Sequence, residues 1–261
     1  MKVITIATMK GGTGKTATAA AIWAGLNMRG YKSIALDLDP QCNLSDGAGA
    51  ATTGKTVFGA MTGEIGAVEA IQTIDDMDVI AGSAFLSAAD NTFTETGKEY
   101  RLKELLEPLK KKNYDFCIID TPPSLNVLTV NALTASDSVI IPVQSDINAI
   151  TGLTKLYYTV DAVRKYFNPG LQIEGVLLTR YNPRTTMSRE VLELLDSSTE
   201  QLGTKLFNTK IRDSVKVAES AARKQPLLKA YPTATAAQDY NALIDEILND
   251  FSFSRAKSER K

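Results

Sequence analysis

Histidine is absent from this chain of 261 residues, and cysteine occurs only twice, at Cys42 and Cys117. The absence of histidine excludes catalysis by a histidine base. With no histidine and only two cysteines, the chain lacks the ligands of most zinc and haem sites. Two cysteines cannot supply a disulfide framework, which favours a reducing compartment such as the cytoplasm. Cys117 lies within the apolar run Phe116-Cys117-Ile118-Ile119, which predicts a small buried side chain.

Long apolar runs are also missing. No segment approaches the roughly 20 apolar residues of a membrane-spanning helix. The first residues enter a predicted strand at once, without the basic and then apolar segments of a secretion signal. We therefore expect a cytoplasmic protein that is neither exported nor embedded in a membrane.

The net charge is nearly zero, but the charged residues are unevenly distributed along the chain. The formal net charge is −1, so no global basic footprint indicates a nucleic acid. Residues 37–99 are acidic, with Lys55 and Lys98 as their only cations, whereas residues 205–229 are basic, with only Asp213 and Glu219 as acids. Such a local basic segment predicts an anionic partner, although a merely solvated lysine-rich face is the alternative. The candidate contacts with that anionic partner are Lys210, Arg212, Lys216, Arg223 and Lys224.

Strand-like and helix-like segments alternate along the chain. The predicted strands are Val3–Ala7, Ser33–Leu38, Asp78–Ala81, Phe116–Ile119, Ser138–Val143, Ile173–Leu178 and Lys205–Asn208. The predicted helices are Lys15–Met28, Lys98–Lys111, Asn126–Leu133, Thr151–Phe167, Ser188–Gln201, Ser214–Arg223 and Thr235–Asn249. Apolar strands between amphipathic helices predict an α/β fold with a mostly parallel, twisted sheet and helices on both faces. Residues 44–75 are predicted to form short helices and loops at the sheet edge.

The segment Lys10-Gly11-Gly12-Thr13-Gly14-Lys15-Thr16 follows the first predicted strand and opens the first predicted helix. Glycines there allow backbone N–H groups to turn inward, and the helix N-terminus adds positive potential, so the segment predicts a phosphate-binding loop. Lys15 would neutralise the β- and γ-phosphates, and the Thr16 hydroxyl suits Mg²⁺. Lys10 is a second lysine in the loop. Contacts with a phosphate bound by the same chain need only Lys15, so Lys10 requires a separate explanation. We expect one P-loop domain over residues 1–250 and a polar, flexible tail over residues 251–261.

Two further strands end in carboxylates. The second strand runs into Asp37-Leu38-Asp39-Pro40-Gln41, and the strand Phe116–Ile119 into Asp120-Thr121-Pro122-Pro123. Ligands of such sheets bind at the carboxyl ends of the strands, so these carboxylates should lie beside the phosphates. Asp39 is predicted to orient the attacking water, and Asp120 to hold Mg²⁺ through water. The alternative for each is a structural aspartate in a turn or helix cap.

These three motifs resemble the signatures of the ParA/MinD family of deviant Walker A ATPases, and the likeness covers nearly the whole chain. Ile141-Pro142-Val143-Gln144 and Thr179-Arg180-Tyr181-Asn182-Pro183 also resemble family segments. The resemblance implies ATP and Mg²⁺ as cofactors, a dimer with ATP at its interface, and a Lys10 that reaches the partner's phosphates. The catalytic residues would be Lys10, Lys15 and Asp39. The nucleotide-binding residues would be Gly11, Gly12, Thr13, Gly14, Lys15, Thr16, Thr18 and Asn182, the last contacting the base.

The chain departs from the family pattern at three positions. Cys42 stands where the family usually has the glycine of Asp-Pro-Gln-Gly-Asn, which bears on the flexibility of this first switch loop. Arg212 and Asp213 stand where proline and arginine are usual, so the family's DNA contacts transfer poorly to this segment.

The resemblance implies a DNA partition ATPase. Its ATP dimer would bind DNA without sequence preference at the nucleoid, and a ParB-type partner would stimulate hydrolysis and release it. Only nine residues precede Lys10, so we expect no N-terminal helix-turn-helix. A MinD-like ATPase that cycles on membranes would need a C-terminal amphipathic helix, for which only Phe251, Phe253 and Ala256 are available after Asp250. A metabolic P-loop synthetase is the third possibility, since a fold does not determine a function.

Overall fold

The computed structural model describes residues 1–146 and 149–258. The strands are β1 (Lys2–Ile6), β2 (Ser33–Asp37), β3 (Gln72–Ile74), β4 (Met77–Ile80), β5 (Phe116–Asp120), β6 (Ser138–Gln144) and β7 (Gln172–Thr179). The α-helices are α1 (Lys15–Met28), α2 (Asn43–Ala48), α3 (Val57–Thr62), α4 (Ala89–Thr92), α5 (Arg101–Lys110), α6 (Val127–Ala135), α7 (Ala149–Tyr166), α8 (Thr186–Gln201), α9 (Val215–Ala222), α10 (Leu227–Ala230) and α11 (Thr235–Ser258). Short 3₁₀ segments span Ala84–Ala88 and Lys98–Tyr100.

The strands form one sheet in the order β3-β4-β2-β5-β1-β6-β7. All neighbouring pairs are parallel except β3 with β4 at the edge. The predicted mostly parallel α/β sheet is therefore confirmed. Because β1 lies between β5 and β6, the loop that follows β1 emerges at the middle of the carboxyl edge.

The edge strand β3 was not predicted. It joins β4 through Asp75 and Asp76, which both have a positive φ (+48° and +63°). This is the backbone of a type I′ two-residue hairpin turn, which Asn and Asp tolerate better than most residues. Three residues are too few to show a strand periodicity, so only the paired aspartates could have signalled the hairpin.

The predicted strand Lys205–Asn208 is wrong as a full strand. It pairs with β7 only through an isolated bridge between Val176 and Leu206. Phe207, fully buried in this segment, packs against Gly175 of β7, where an added Cβ would lie 2.7 Å from the ring. The segment therefore covers the edge strand β7 and does not add a further strand to the sheet.

Helices cover both faces of the sheet. On β5, Phe116 and Ile118 face the cluster built around α1 and α11, whereas Cys117 and Ile119 face the cluster that contains α5 and α6. The predicted burial of Cys117 is confirmed. Beyond these, α7 and α8 cover the β6–β7 side. Helix α1 is buried nearly all round because it lies between the sheet and α11.

The last helix is longer than expected. Helix α11 continues past Asp250 to Ser258, and no glycine or proline lies in the segment to stop it. The predicted polar tail 251–261 thus begins as helix, and residues 259–261 lie outside the described residues. Of the helices described, none is long and apolar enough to span a membrane.

Candidate nucleotide site

The loop between β1 and α1 has the backbone of an anion-binding cradle. Gly12 and Gly14 adopt left-handed conformations with φ of +81° and +77°, and Gly14 is the residue that caps α1. These values favour glycine, which lets the N–H groups point into the loop. The carbonyl of Thr13 accepts a hydrogen bond of 2.7 Å from the Thr179 hydroxyl at the end of β7. Strand β7, which lies beyond β6 in the sheet, thus holds the loop in shape.

Lys15 opens α1 with a side chain that is only 7% exposed. Its Nζ lies 2.7 Å from Asp120 Oδ1 and 3.5 Å from Asp39 Oδ2. The three predicted residues therefore meet at one point, although they come from positions more than 100 residues apart. The two carboxylates supply the countercharge of the lysine.

Asp120 is fully buried at the end of β5. Its Oδ2 has no hydrogen-bond partner among the residues that the structure describes. Burial raises the pKa of this carboxyl, while the adjacent Lys15 and Thr16 side chains act in the opposite direction. A buried carboxylate oxygen without a donor, beside a threonine hydroxyl, is a donor set that fits Mg²⁺, which prefers oxygen ligands.

The two aspartates of the β2 end have different roles. Asp37 Oδ2 accepts hydrogen bonds from the backbone N–H and the hydroxyl of Ser45, and Asp37 Oδ1 accepts one from the backbone of Asp39. Gly82 N donates to the Ser45 hydroxyl at 2.8 Å. Burial, and next the charge of Asp120, raises the pKa of Asp37 to about 7. Asp37 therefore anchors the loop, whereas Asp39 lies beside Lys15, and its place at the phosphates stays a prediction.

The sequence analysis missed two hydroxyl residues that hold the site in place: Ser45, which binds Asp37, and Thr179, which binds the carbonyl of Thr13. Ser45 is buried in α2, and Thr179 is buried at the end of β7. A small hydroxyl residue eight positions after a strand-end aspartate carries no spacing signal, because the contact depends on how α2 folds back over β2.

Lys10 lies outside the pocket that holds Lys15. Its side chain is 48% exposed, and its Nζ lies 2.5 Å from Asp146 Oδ2, in the segment after β6. The ammonium of Lys10 is thus paired with the segment after β6, apart from the contact of Lys15 with Asp39 and Asp120.

A cavity of about 700 Å³ begins at Gly12, Gly14 and Thr16 and continues along α1. Arg180, Arg212 and Asp213 lie at its wall. The side chain of Arg180 pairs with Asp213 at 3.3 Å, and that of Arg212 with Asp239 at 2.7 Å. The volume is typical of a site for a small molecule or cofactor.

The structure does not bring two predicted nucleotide residues to this cavity. Asn182 is exposed, and its Oδ1 accepts a hydrogen bond from the backbone of Arg184 in its own turn. Thr18 is fully buried, and its hydroxyl lies 3.2 Å from the Tyr240 hydroxyl of α11. Both side chains satisfy structural partners, and Arg180 lies at the cavity where the resemblance implied Asn182.

Cys42 has a left-handed backbone with φ of +54°, a conformation that favours glycine. Its side chain is buried against Gly82, and burial raises the pKa of the thiol to about 11. This residue therefore packs the loop as a neutral thiol.

Comparison with known proteins decides the family. A family model described as an AAA domain matches residues 1–173. The chain is 38% identical to the sporulation initiation inhibitor protein Soj of Bacillus subtilis, over 94% of this chain and 98% of that protein. It is 36% identical to the chromosome partitioning protein ParA of Caulobacter vibrioides, over 99% and 98%. The chain belongs to the ParA/Soj family of P-loop ATPases.

Solved structures agree with this assignment. Cobyrinic acid a,c-diamide synthase from Mycobacterium smegmatis, with bound ADP and magnesium, superposes with a TM-score of 0.83 at 30% identity, over 97% of this chain and 96% of that one. The cell division ATPase MinD of Pyrococcus furiosus superposes with a TM-score of 0.76 at 24% identity, over 95% and 98%, which is a likeness of fold. As a ParA/Soj-family member the chain is an ATPase, and its phosphate loop, Thr16 and Asp120 fit ATP with Mg²⁺.

The basic segment of this ParA/Soj-family chain is partly neutralised by ion pairs. Arg212 makes a bidentate contact with Asp239 and lines the cavity, which argues against it as a DNA contact. Lys216 Nζ lies 2.7 Å from Glu219, and Lys216 and Arg223 both lie over the ring of Tyr231. These two cations therefore lie close together, around the same aromatic ring. Lys210 Nζ donates to the carbonyl of Asn208, and Lys224 is exposed.

Proposed function

We propose that this chain is a DNA partition ATPase whose ATP-bound dimer binds DNA without sequence preference. The observation that carries the proposal is the separation of the two loop lysines. Lys15 lies with Asp39 and Asp120 at the phosphate loop, while the half-exposed Lys10 pairs, among the described residues, with the half-buried Asp146. A lysine so placed is available to the phosphates of a second copy, and two relatives at 36% identity are named for chromosome partitioning.

In this proposal, each side chain of the site has a separate role in ATP hydrolysis. Lys15 would leave Asp120 and neutralise phosphate charge, while Thr16 and Asp120 would hold Mg²⁺. When bound, Mg²⁺ neutralises charge that develops on the transferred phosphoryl group. Asp39, next to Lys15 and with its Oδ1 fixed by the backbone of Gln41, orients the attacking water. Lys10 of the second copy completes the charge neutralisation.

DNA binding would use the exposed cations of the basic segment. Lys216 lies in the first turn of α9, Arg223 and Lys224 follow its last residue, and Lys210 precedes the helix. Lys216 and Arg223 meet over the ring of Tyr231. A single protomer offers few phosphate contacts, so its affinity for DNA is low, and the dimer doubles them. ATP would then control DNA binding through dimerisation. We propose further that a ParB-type partner stimulates hydrolysis and so releases the chain from the nucleoid.

The carboxylate-activating alternative has one observation in its favour. The diamide synthase resembles the chain over 97% of its length at 30% identity. If the chain were a carboxylate-activating enzyme, its ATP turnover would require a carboxylic acid and an amide donor and would not respond to DNA. The MinD-like alternative predicts ATP-dependent sedimentation with anionic liposomes, which we do not expect.

The test compares dimerisation and DNA binding in the same samples. With Mg²⁺ and a non-hydrolysable ATP analogue, the wild type should sediment as a dimer and shift plasmid DNA. Lys10→Ala should bind the analogue but remain a monomer and leave DNA unshifted. Lys55→Ala, which removes an exposed lysine elsewhere, is the matched control and should behave as wild type. A wild type that never shifts DNA with the analogue present refutes the partition proposal, and a dimeric Lys10→Ala refutes the role of Lys10.

A further inference from the structure

The glycines of the phosphate loop do not fix the direction of its peptide groups. Glycine adopts positive and negative φ about equally readily, so the peptide between Thr13 and Gly14 can turn over at low cost in the isolated loop. Such a turn exchanges the directions of its C=O and N–H groups. Only an N–H directed into the loop attracts a phosphate, because a carbonyl oxygen in that place repels it. A contact from outside the loop is therefore needed to select one orientation.

Thr179, at the end of β7, makes such a contact. Its hydroxyl donates to the Thr13 carbonyl at 2.7 Å and lies 3.2 Å from the carbonyl of Val143. The hydroxyl has one proton, so the shorter contact, to Thr13, is the stronger hydrogen bond. Thr179 is 1% exposed and Thr13 is 3% exposed, so water is a poor substitute for this bond.

The geometry of the peptide extends this contact to Gly14. The described peptide bonds are all trans, and in a planar trans peptide the C=O and N–H groups point in opposite directions. Because the Thr13 carbonyl points to Thr179, the Gly14 N–H points away from it. A Cβ added at Gly14 would lie 3.8 Å from the Thr179 side chain, so this side chain lies directly against the loop.

We infer that Thr179 is a positioning residue of the ATP site, whose hydroxyl holds the Thr13 carbonyl toward β7 and thereby keeps the Gly14 N–H directed at a nucleotide phosphate. Thr179 acts through the loop and needs no contact with the nucleotide. This role concerns ATP binding and does not depend on DNA partition.

Loss of the hydroxyl should divide the loop between two orientations of the Thr13–Gly14 peptide. Only one orientation binds phosphate, so the apparent affinity falls in proportion to the fraction of chains that have it. A bound nucleotide selects the competent orientation, so turnover at saturating ATP should be unchanged. A hydroxyl that served only to join β7 to its neighbours would change the stability of the fold and leave nucleotide affinity as it is.

Thr179→Val keeps the shape of the side chain and removes the donor. Calorimetric titration with MgADP should show about tenfold weaker binding, and the KM for MgATP should rise by a similar factor while kcat stays within about twofold of the wild type. Thr134→Val is the matched control. Thr134 is equally buried, in α6, and its hydroxyl has no hydrogen-bond partner within the described part of the chain, so its loss should leave MgADP binding unchanged.

The serine variant separates the hydroxyl from the packing of the side chain. Thr179→Ser loses a buried methyl group and should be less stable in urea, yet it should bind MgADP within about twofold of the wild type. Thr179→Ala differs from Thr179→Ser by one hydroxyl and should bind about tenfold more weakly than it. This second comparison does not depend on the folding of the valine variant.

Three results overturn the inference. The first is MgADP affinity within about twofold of the wild type for a folded Thr179→Val, or within about twofold of Thr179→Ser for Thr179→Ala. The second is a Thr179→Ser variant that loses as much affinity as Thr179→Val, which would assign the effect to the methyl group. The third is a kcat that falls as far as kcat/KM, which would place the action of the hydroxyl in the transition state.

Discussion

The contact between Lys15 and Asp120 makes a prediction about the protein without nucleotide. The Lys15 Nζ and Asp120 Oδ1 atoms are 2.7 Å apart, and the two side chains are 7% and 0% exposed. Removing one member of such a buried pair leaves the other uncompensated and costs about 3–5 kcal/mol. Lys15→Met keeps much of the volume, so the loss of unfolding free energy should come mainly from the orphaned carboxylates.

A double-mutant cycle isolates this effect. Asp120→Asn leaves Lys15 with Asp39 at 3.5 Å, and we expect it to lose about 1–3 kcal/mol. Lys15→Met/Asp120→Asn removes the pair together, and it should be more stable than Lys15→Met alone, with a coupling energy of about 2–3 kcal/mol. The exposed pair Lys110–Glu107 is the control, because Lys110→Met should change stability by less than about 1 kcal/mol.

The measurement is urea unfolding without nucleotide and without Mg²⁺, with slopes compared to verify two-state behaviour. Additive losses in the cycle would show that the pair carries no coupling, and the reasoning about the nucleotide-free site would then be wrong. In a separate titration Lys15→Met should show no measurable ATP binding, because the main countercharge of the phosphates is gone. Affinity within a few-fold of wild type would refute the assignment of the loop.

Three further predictions concern hydrolysis, DNA binding and packing. Asp39→Ala should bind ATP and dimerise, but it should hydrolyse ATP at least about 100-fold more slowly in single turnovers, because the attacking water is no longer positioned. A rate near that of the wild type would show that Asp39 is only a turn residue. Lys216→Glu/Arg223→Glu should keep ATP-dependent dimerisation but fail to shift plasmid DNA at a salt concentration where Lys55→Glu/Lys111→Glu, of equal charge, still does. If it shifts DNA like the wild type, the surface lies elsewhere, and Arg184 and Arg189 become the next candidates. Gly175→Ala should lower the free energy of unfolding by about 1–2 kcal/mol, measured by heat or urea, because its Cβ would lie 2.7 Å from the buried Phe207 ring. Adding Phe207→Leu to Gly175→Ala should recover part of this loss. An unchanged stability of Gly175→Ala would show that the ring moves freely.

Most of the fold could be predicted because the local signals agree with the tertiary structure. The strands β1, β2, β5, β6 and β7 are apolar runs that are buried on both faces, and such runs have few other stable placements. The helix beginnings also carry their own chemistry. Asn126 and Ser214 cap α6 and α9 through side-chain hydrogen bonds that depend only on neighbouring residues. The edge was harder, since β3 has three residues and the segment around Phe207 pairs through a single bridge.

The amino-acid sequence by itself determined the phosphate loop, the strand-end carboxylates and hence the ATPase family. These features are local, because glycines, a lysine and a threonine at a strand–helix junction act over one turn of chain. The tertiary structure alone decided that Asp37 anchors a loop while Asp39 faces Lys15, that Thr18 and Asn182 satisfy other partners, and that Arg212 is held by Asp239. Each of these roles depends on which distant side chain lies opposite, and charge, spacing and periodicity along the chain carry no information about that distance.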